Sequence, residues 1–170
     1  MAGNKSTDNT SFYLNTEIGN KSALAANIGA RVDKHTTWGS IITPRVGFML
    51  NINKCTLLRA SVAKGFRAPT INELYWNDPV FSTFGNAALK PETSTNTTVS
   101  LEKALGLCDA SVEYYVNKIT DMIKWEETAP GSWSYHTVNV DRAKIEGLNI
   151  EIKKPISEGI SGFINYTLEK

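Results

Sequence analysis

The stretch SIITPRVGFMLNIN, residues 40–53, decides the fold class. Its even positions Ile42, Pro44, Val46, Phe48, Leu50 and Ile52 are all apolar. The odd neighbours Thr43, Arg45, Gly47, Met49, Asn51 and Asn53 are mostly polar or small. A helix gathers its apolar residues every three or four positions, whereas a period of two places them on one face of a strand. The same period runs outward in both directions. Leu24, Ala26, Ile28, Ala30 and Val32 alternate with Asn27, Gly29, Arg31 and Asp33, and Phe12, Leu14 and Ile18 with Tyr13, Asn15 and Glu17. Leu58, Ala60 and Val62 flank Arg59 and Ser61, and Val112, Tyr114 and Val116 flank Glu113 and Tyr115. Leu148, Ile150 and Ile152, then Ile164, Tyr166 and Leu168, repeat the pattern near the C-terminus. With residues 93–104 this makes about eight strands, longer than the five or six residues usual in globular sheets and suited to a tilted membrane strand of roughly 9–11. Between Val116 and Ile123 the apolar phase slips from even to odd, which predicts a bulge near Lys118.

The connections alternate between two kinds. Residues 19–21, 53–55, 105–107 and 155–159 read as tight turns, and residues 33–39, 67–91 and 126–134 as longer loops. In an up-and-down meander alternate connections share one end, so one rim carries turns and the other loops, as in outer-membrane barrels. A soluble β-sandwich also alternates, but its strands are shorter. The expected fold is therefore all-β, an antiparallel up-and-down meander of about eight long strands forming part of a transmembrane β-barrel.

Composition removes other classes. A net charge of +1 leaves no electrostatic footprint for nucleic acid. Mean hydropathy is −0.24 and no run is long and apolar enough for a membrane helix, which does not bear on strands that alternate. The opening residues lack the basic, apolar, small-residue order of a signal peptide and read as a flexible polar leader over residues 1–10. Cys55 and Cys108 are too few for a disulfide framework and lack metal-site spacing. His35 and His136 have no carboxylate or thiol at ligand spacing, so no metal site, cofactor or catalytic residue is expected. No nucleophile elbow or triad context accompanies the serines.

Three stretches carry a family resemblance. SVAKGFRAPTINELY, residues 61–75, centres on Gly65, Phe66, Arg67, Ala68 and Pro69. GNAALKPETS, residues 85–94, contains Leu89, Pro91 and Glu92, and VNVDRAKIEGLNIEI, residues 138–152, contains Gly147. In order and spacing they resemble the C-terminal part of the barrel of TonB-dependent outer-membrane receptors. Two positions depart from that pattern: Ala87 stands where proline is usual, and Asn149 where glutamate is frequent. A whole barrel of that kind has about 22 strands, so residues 11–170 are expected to be a fragment, without the plug domain, the energy-coupling box or the aromatic-ended last strand.

The resemblance implies a non-enzymatic receptor in the outer membrane of a Gram-negative-type bacterium. It would bind a metal chelate, such as a ferric siderophore, haem or cobalamin, and take it up with TonB energy coupling through the plug. Its partners would be the chelate, outer-membrane lipid and the TonB complex. Candidate ligand contacts are Arg67, Tyr75, Trp76, Phe84, Trp133 and Tyr135, since aromatics with a few cations suit a bulky chelate. The competing role for Trp76, Trp125, Trp133 and Tyr135 is an aromatic girdle at the headgroups. Arg31, Arg45 and Arg59 are expected to line the lumen and pair with glutamates or the plug. A self-contained eight-stranded barrel with a structural or adhesive role is the alternative, and a soluble β domain binding protein or glycan a third reading.

Overall fold

The computed structural model describes residues 7–20 and 23–170, with only the backbone at Asp141. The first part of the expected leader, residues 1–6, and Lys21 of the first turn lie outside the described residues, and the leader's last two, Asn9 and Thr10, already belong to a strand. Eight long strands carry the sheet: β1 (Asn9–Asn20), β2 (Leu24–His35), β3 (Gly39–Asn53), β4 (Thr56–Arg67), β7 (Glu92–Ala104), β8 (Asp109–Glu127), β9 (Tyr135–Ser157) and β10 (Ile160–Glu169). Each pairs antiparallel with the next, so the meander is as the periodicity predicts. Between β4 and β7 stand a single helical turn, α1 (Ile71–Tyr75), and a two-residue hairpin, β5 (Asn77–Asp78) and β6 (Thr83–Phe84). The hairpin attaches to β9 in parallel, Thr83 opposite Tyr135.

The sheet is open. β1 and β10 have no second neighbour among the described residues, and β1 is exposed along its whole length. A closed eight-stranded barrel requires those two strands to pair, so that alternative is not formed. The two faces differ as the alternation demands. Even positions of β3 turn Ile42 (61% exposed) and Phe48 (54% exposed) outward with nothing of this chain to cover them. On the concave face, around a hollow of about 540 Å³, stand Glu17, Asn27, Arg59, Thr98, Glu102 and Glu113. There Arg59 pairs with Glu102, and Asn149 donates to Glu113 at 3.2 Å. A glutamate in place of Asn149 would set two carboxylates side by side, which accounts for that departure. Gly147 lies under the Tyr115 ring: a Cβ there would stand 2.5 Å from the Tyr115 hydroxyl oxygen.

One end of the meander has tight turns at residues 54–55, 105–108 and 158–159, and the other carries residues 36–38, 68–91 and 128–134. The first of these outer connections is shorter than expected. Asp33, Lys34 and His35 continue the ladder opposite Ile41, Ser40 and Gly39, leaving three residues where the sequence suggested a loop over 33–39. Asp33 is fully buried, held by Arg31 at 2.8 Å and Ser11 at 2.6 Å, so side-chain bonding on the inner face extends the strand.

The bulge expected near Lys118 is absent. Lys118 stands opposite Lys144, and β8 keeps one register against β9 from Asp109 to Glu127. The irregular residue is Asp121, in the left-handed region at φ 55. The apolar phase changes because the surroundings change. Below Asp121 the inward, odd positions of β8, such as Ser111 and Glu113, face the hollow. Above it the inward Ile123 is buried against Leu74 and Leu89 of residues 68–91, with Tyr75 beside them. The outward Lys124 and Glu126 there form an exposed ion pair at 3.2 Å.

Candidate ligand-binding rim

The strand β4 cannot continue past Arg67, because Pro69 has no amide hydrogen to donate to the ladder. Thr70 then caps α1: its hydroxyl accepts from the Glu73 amide at 3.2 Å, and the Glu73 carboxylate accepts from the Thr70 amide at 2.7 Å. This reciprocal box explains why a five-residue helix stands here at all. Arg67 joins the pieces. Its Nε and Nη2 donate to the two oxygens of Glu92 at 2.9 and 2.8 Å, a bidentate fork, and Nη1 donates to both oxygens of Glu73 at 3.0 Å. Glu92 also accepts from the Ile123 amide at 2.6 Å, satisfying a donor that β7 is too short to pair. Arg67 chiefly, against opposing burial, with help from the Ile123 amide, holds the Glu92 carboxyl below its ordinary value. Glu92 first, then Glu73, pushes the Arg67 guanidinium further up.

The return of the loop is fixed mainly by backbone. Gly85 donates to the Trp76 carbonyl at 2.7 Å, and a Cβ on it would lie 2.8–2.9 Å from backbone atoms of Trp76, Asn72 and Glu73. Asn86 donates from its backbone to the Glu73 carbonyl at 2.8 Å and from its side chain to the Thr137 carbonyl at 3.2 Å. Ala87 is exposed, so nothing rests on the proline it replaces. Thr137, fully buried, donates to the Glu73 carbonyl at 2.7 Å, and Asn139 donates to the Lys90 carbonyl at 2.9 Å. Thr137 lies outside the stretches that carry the resemblance and has no local signal, whereas Asn139 lies in the stretch 138–152 without anything local to mark it as an anchor. Pro69 and Leu89 are buried in the joint, while Pro91 is half-buried beside Glu92.

Three stretches far apart in sequence thus meet at one place, and they are the three that carry the resemblance. The sequence profile described as "TonB dependent receptor-like, beta-barrel" matches residues 2–169. The chain belongs to the TonB-dependent receptor family. A vitamin B12 transporter of Vibrio vulnificus (strain YJ016) is 35% identical over 144 residues, which is 85% of this chain and 22% of that protein. An iron-regulated outer membrane virulence protein of Vibrio cholerae (strain El Tor Inaba N16961) is 30% identical over 154 residues, 82% of this chain and 24% of that protein. The siderophore receptor PirA of Pseudomonas aeruginosa shares the fold, with a TM-score of 0.83 and 22% identity over 96% of this chain and 32% of its own. The chain spans under a third of the length of these relatives. As a family member it is an outer-membrane β-barrel segment of Gram-negative bacteria.

In this TonB-dependent receptor segment the aromatic candidates separate into two groups. Tyr75 packs against the small core, Trp76 is half-buried at the end of α1, and Tyr135 is half-buried at the start of β9. Trp133 is 78% exposed in the outer loop 128–134 at φ 55, and Phe84 is 38% exposed in β6. Phe81 at 72% and Val80 at 84% exposure form the far tip of the long loop, two residues before the hairpin strand that pairs with β9. Arg67 is committed to its two carboxylates. His35 stacks on Trp38 at 4.6 Å, and Trp38 meets Phe66 edge-on at 5.3 Å. Trp38, an aromatic the sequence reading did not single out, therefore sits where a headgroup girdle is expected. Among the described residues no group of His, Cys, Asp or Glu is arranged to hold a metal.

Proposed function

We propose that this chain is the part of a TonB-dependent receptor barrel whose outer loop binds a metal chelate for active uptake. The ligand classes are those of its relatives, a cobalamin or a ferric siderophore, with haem as a third candidate. The observation that carries the reading is the loop tip: Val80, Phe81 and Trp133 stay exposed beyond a joint that is otherwise fully bonded. Trp133 in a left-handed backbone conformation is strained, and such strain is kept where function requires it. Phe84, Trp76 and Tyr135 extend the aromatic surface behind the tip, while Tyr75 and Arg67 aim it. Stacking supplies the affinity, and energy coupling runs through a plug domain that a complete barrel would surround, moved by the TonB complex. The binding chemistry makes and breaks no covalent bond in the ligand, in keeping with relatives that are transporters and receptors.

The test uses the full-length receptor in cells lacking other outer-membrane uptake routes, with radiolabelled cobalamin, ferric enterobactin and haem as probes. Wild type is expected to take up one of the three. The pair Phe81→Ala and Trp133→Ala is expected to raise the half-saturating concentration of that probe roughly tenfold, about 1.4 kcal/mol, with unchanged receptor abundance. Unchanged half-saturation would remove the loop tip from ligand binding.

A further inference from the structure

The outward face of the sheet carries a feature that ligand uptake does not use. Strand pairing sets Lys64 opposite Thr95, Thr95 opposite Lys118 and Lys118 opposite Lys144, one transverse row across β4, β7, β8 and β9. All three lysines lie at even positions, on the same face as Val62, Val116 and Leu148. Cross-strand neighbours stand about 5 Å apart, so Lys118 and Lys144 set two like charges side by side, an arrangement that destabilises a sheet without an anion between them. Arg142 lies one outward position above Lys144, and Lys170 pairs with Glu146 one outward position below. Glu146, bonded to Lys144 and to the Tyr114 hydroxyl, is the carboxylate among these five cations. Among the described residues Lys64 and Lys118 form no ion pair.

The depth of the row identifies what it meets. Below it, Glu146 and Lys170 apart, the outward face is largely apolar, through Leu58, Val62, Val99, Leu101, Val112 and Ile150. From Thr56, at the turn end, to Lys64 is eight residues, about 26 Å along a strand and about 20 Å in height once the strand is tilted. That is close to the height of an outward apolar band, roughly 25 Å. Above the row Phe66 meets Trp38, and the outward positions of β8 become the charged Lys124 and Glu126. The lysines therefore stand at the outer boundary of the hydrocarbon, with stems against acyl chains and ammonium groups at headgroup level.

We propose that Lys64, Lys118 and Lys144, with Arg142 and Lys170 beside them, form a binding site for the phosphate groups of outer-leaflet lipids. A phosphate bridging Lys118 and Lys144 removes the like-charge conflict, and the spacing to Lys64 lets one headgroup or two neighbouring headgroups cover the row. The site lies on the outside of the barrel.

The experiment uses the full-length receptor in detergent, with native mass spectrometry and thermal melting as readouts. The probes are phosphatidic acid, phosphatidylcholine of the same chains, and inorganic phosphate. Phosphatidic acid is expected to be retained and to raise the melting temperature, with phosphatidylcholine and inorganic phosphate doing neither. The triple variant Lys64→Gln, Lys118→Gln, Lys144→Gln is expected to lose at least tenfold in phosphatidic acid affinity, and the corresponding triple arginine variant to keep it. Lys103→Gln, at the opposite end of the sheet, is expected to bind as wild type does. Should the triple glutamine variant fail to fold, Lys118→Gln alone is expected to lose several-fold. Equal affinity in the glutamine variants and wild type, equal retention of phosphatidylcholine, or equal stabilisation by inorganic phosphate would overturn the site.

Discussion

The lower and upper parts of β8 are one strand in one register with opposite sidedness. Below Asp121 the outward residues Val112 and Val116 are apolar and the inward residues Ser111, Glu113 and Asn117 are polar. Above it the inward Ile123 is buried and the outward Lys124 and Glu126 are charged. The backbone alternation is the same in both parts, so what differs is the solvent on each side. Below, lipid lies outside and an aqueous hollow inside. Above, water lies outside and a folded loop inside. A change of apolar phase in a strand therefore marks a change of environment as readily as a bulge, and here it marks where the membrane ends.

The largest effects should come from exchanging sides. Val112→Arg, outward in the apolar band, is expected to cost about 2–4 kcal/mol of membrane-folded stability, and Ser111→Arg, its inward neighbour, close to none. Above Asp121 the order should reverse: Ile123→Arg costs about 3 kcal/mol by burying an unpaired charge, and Lys124→Gln less than about 0.5. Urea unfolding of the full-length receptor from lipid vesicles measures all four, and equal costs at Ile123 and Ser111 would break the comparison.

An intermediate effect is expected from the joint that seats the loop. Arg67→Ala leaves Glu73 and Glu92 facing each other half-buried, with an expected loss of about 1–2 kcal/mol in loop anchorage after allowance for solvent screening. Limited proteolysis near residues 78–81 reports it. The same joint sets a pH dependence. The Glu92 carboxyl sits below its ordinary value of 4.5 in the folded chain, so its contribution is complete above pH 4.5 and is lost as pH falls through the lower, folded-state value. Protease sensitivity of the loop should therefore rise as pH falls below 4.5 in wild type and be much less pH-dependent in Glu92→Gln. The smallest effect is expected at the cap: Thr70→Ala should cost about 1 kcal/mol, read as faster amide exchange in α1.

Much of this was legible in the sequence because it is local. Period-two alternation fixed eight long strands and their faces, and Thr70 with Glu73 three residues later announces the turn of helix after Pro69. The resemblance singled out Arg67 and Glu92, 25 positions apart, though only the structure shows them bonded. What was not legible depends on contacts distant in sequence. Thr137 looks like an ordinary lumen residue, and Asn139 is marked only by the resemblance, until residues 68–91 fold over them. The connection at residues 36–38 is shorter than the sequence suggests, since Asp33 and Lys34 read as loop while the Arg31 and Ser11 bonds to Asp33 keep the strand going. Arg67 looked like a ligand contact in a row of letters, and its two carboxylates give it a structural task.

The most direct test is a spin-label scan along β8 in the full-length receptor, in lipid vesicles, with Cys55 and Cys108 replaced and single cysteines placed from residue 111 to 126. Collision with oxygen reports lipid and collision with a water-soluble nickel chelate reports water. The expected pattern is even positions in lipid and odd positions in water up to residue 117, then Ile123 shielded from both and Lys124 and Glu126 in water beyond Asp121. A lipid-facing even pattern that continued unchanged through Lys124 and Glu126 would contradict the account.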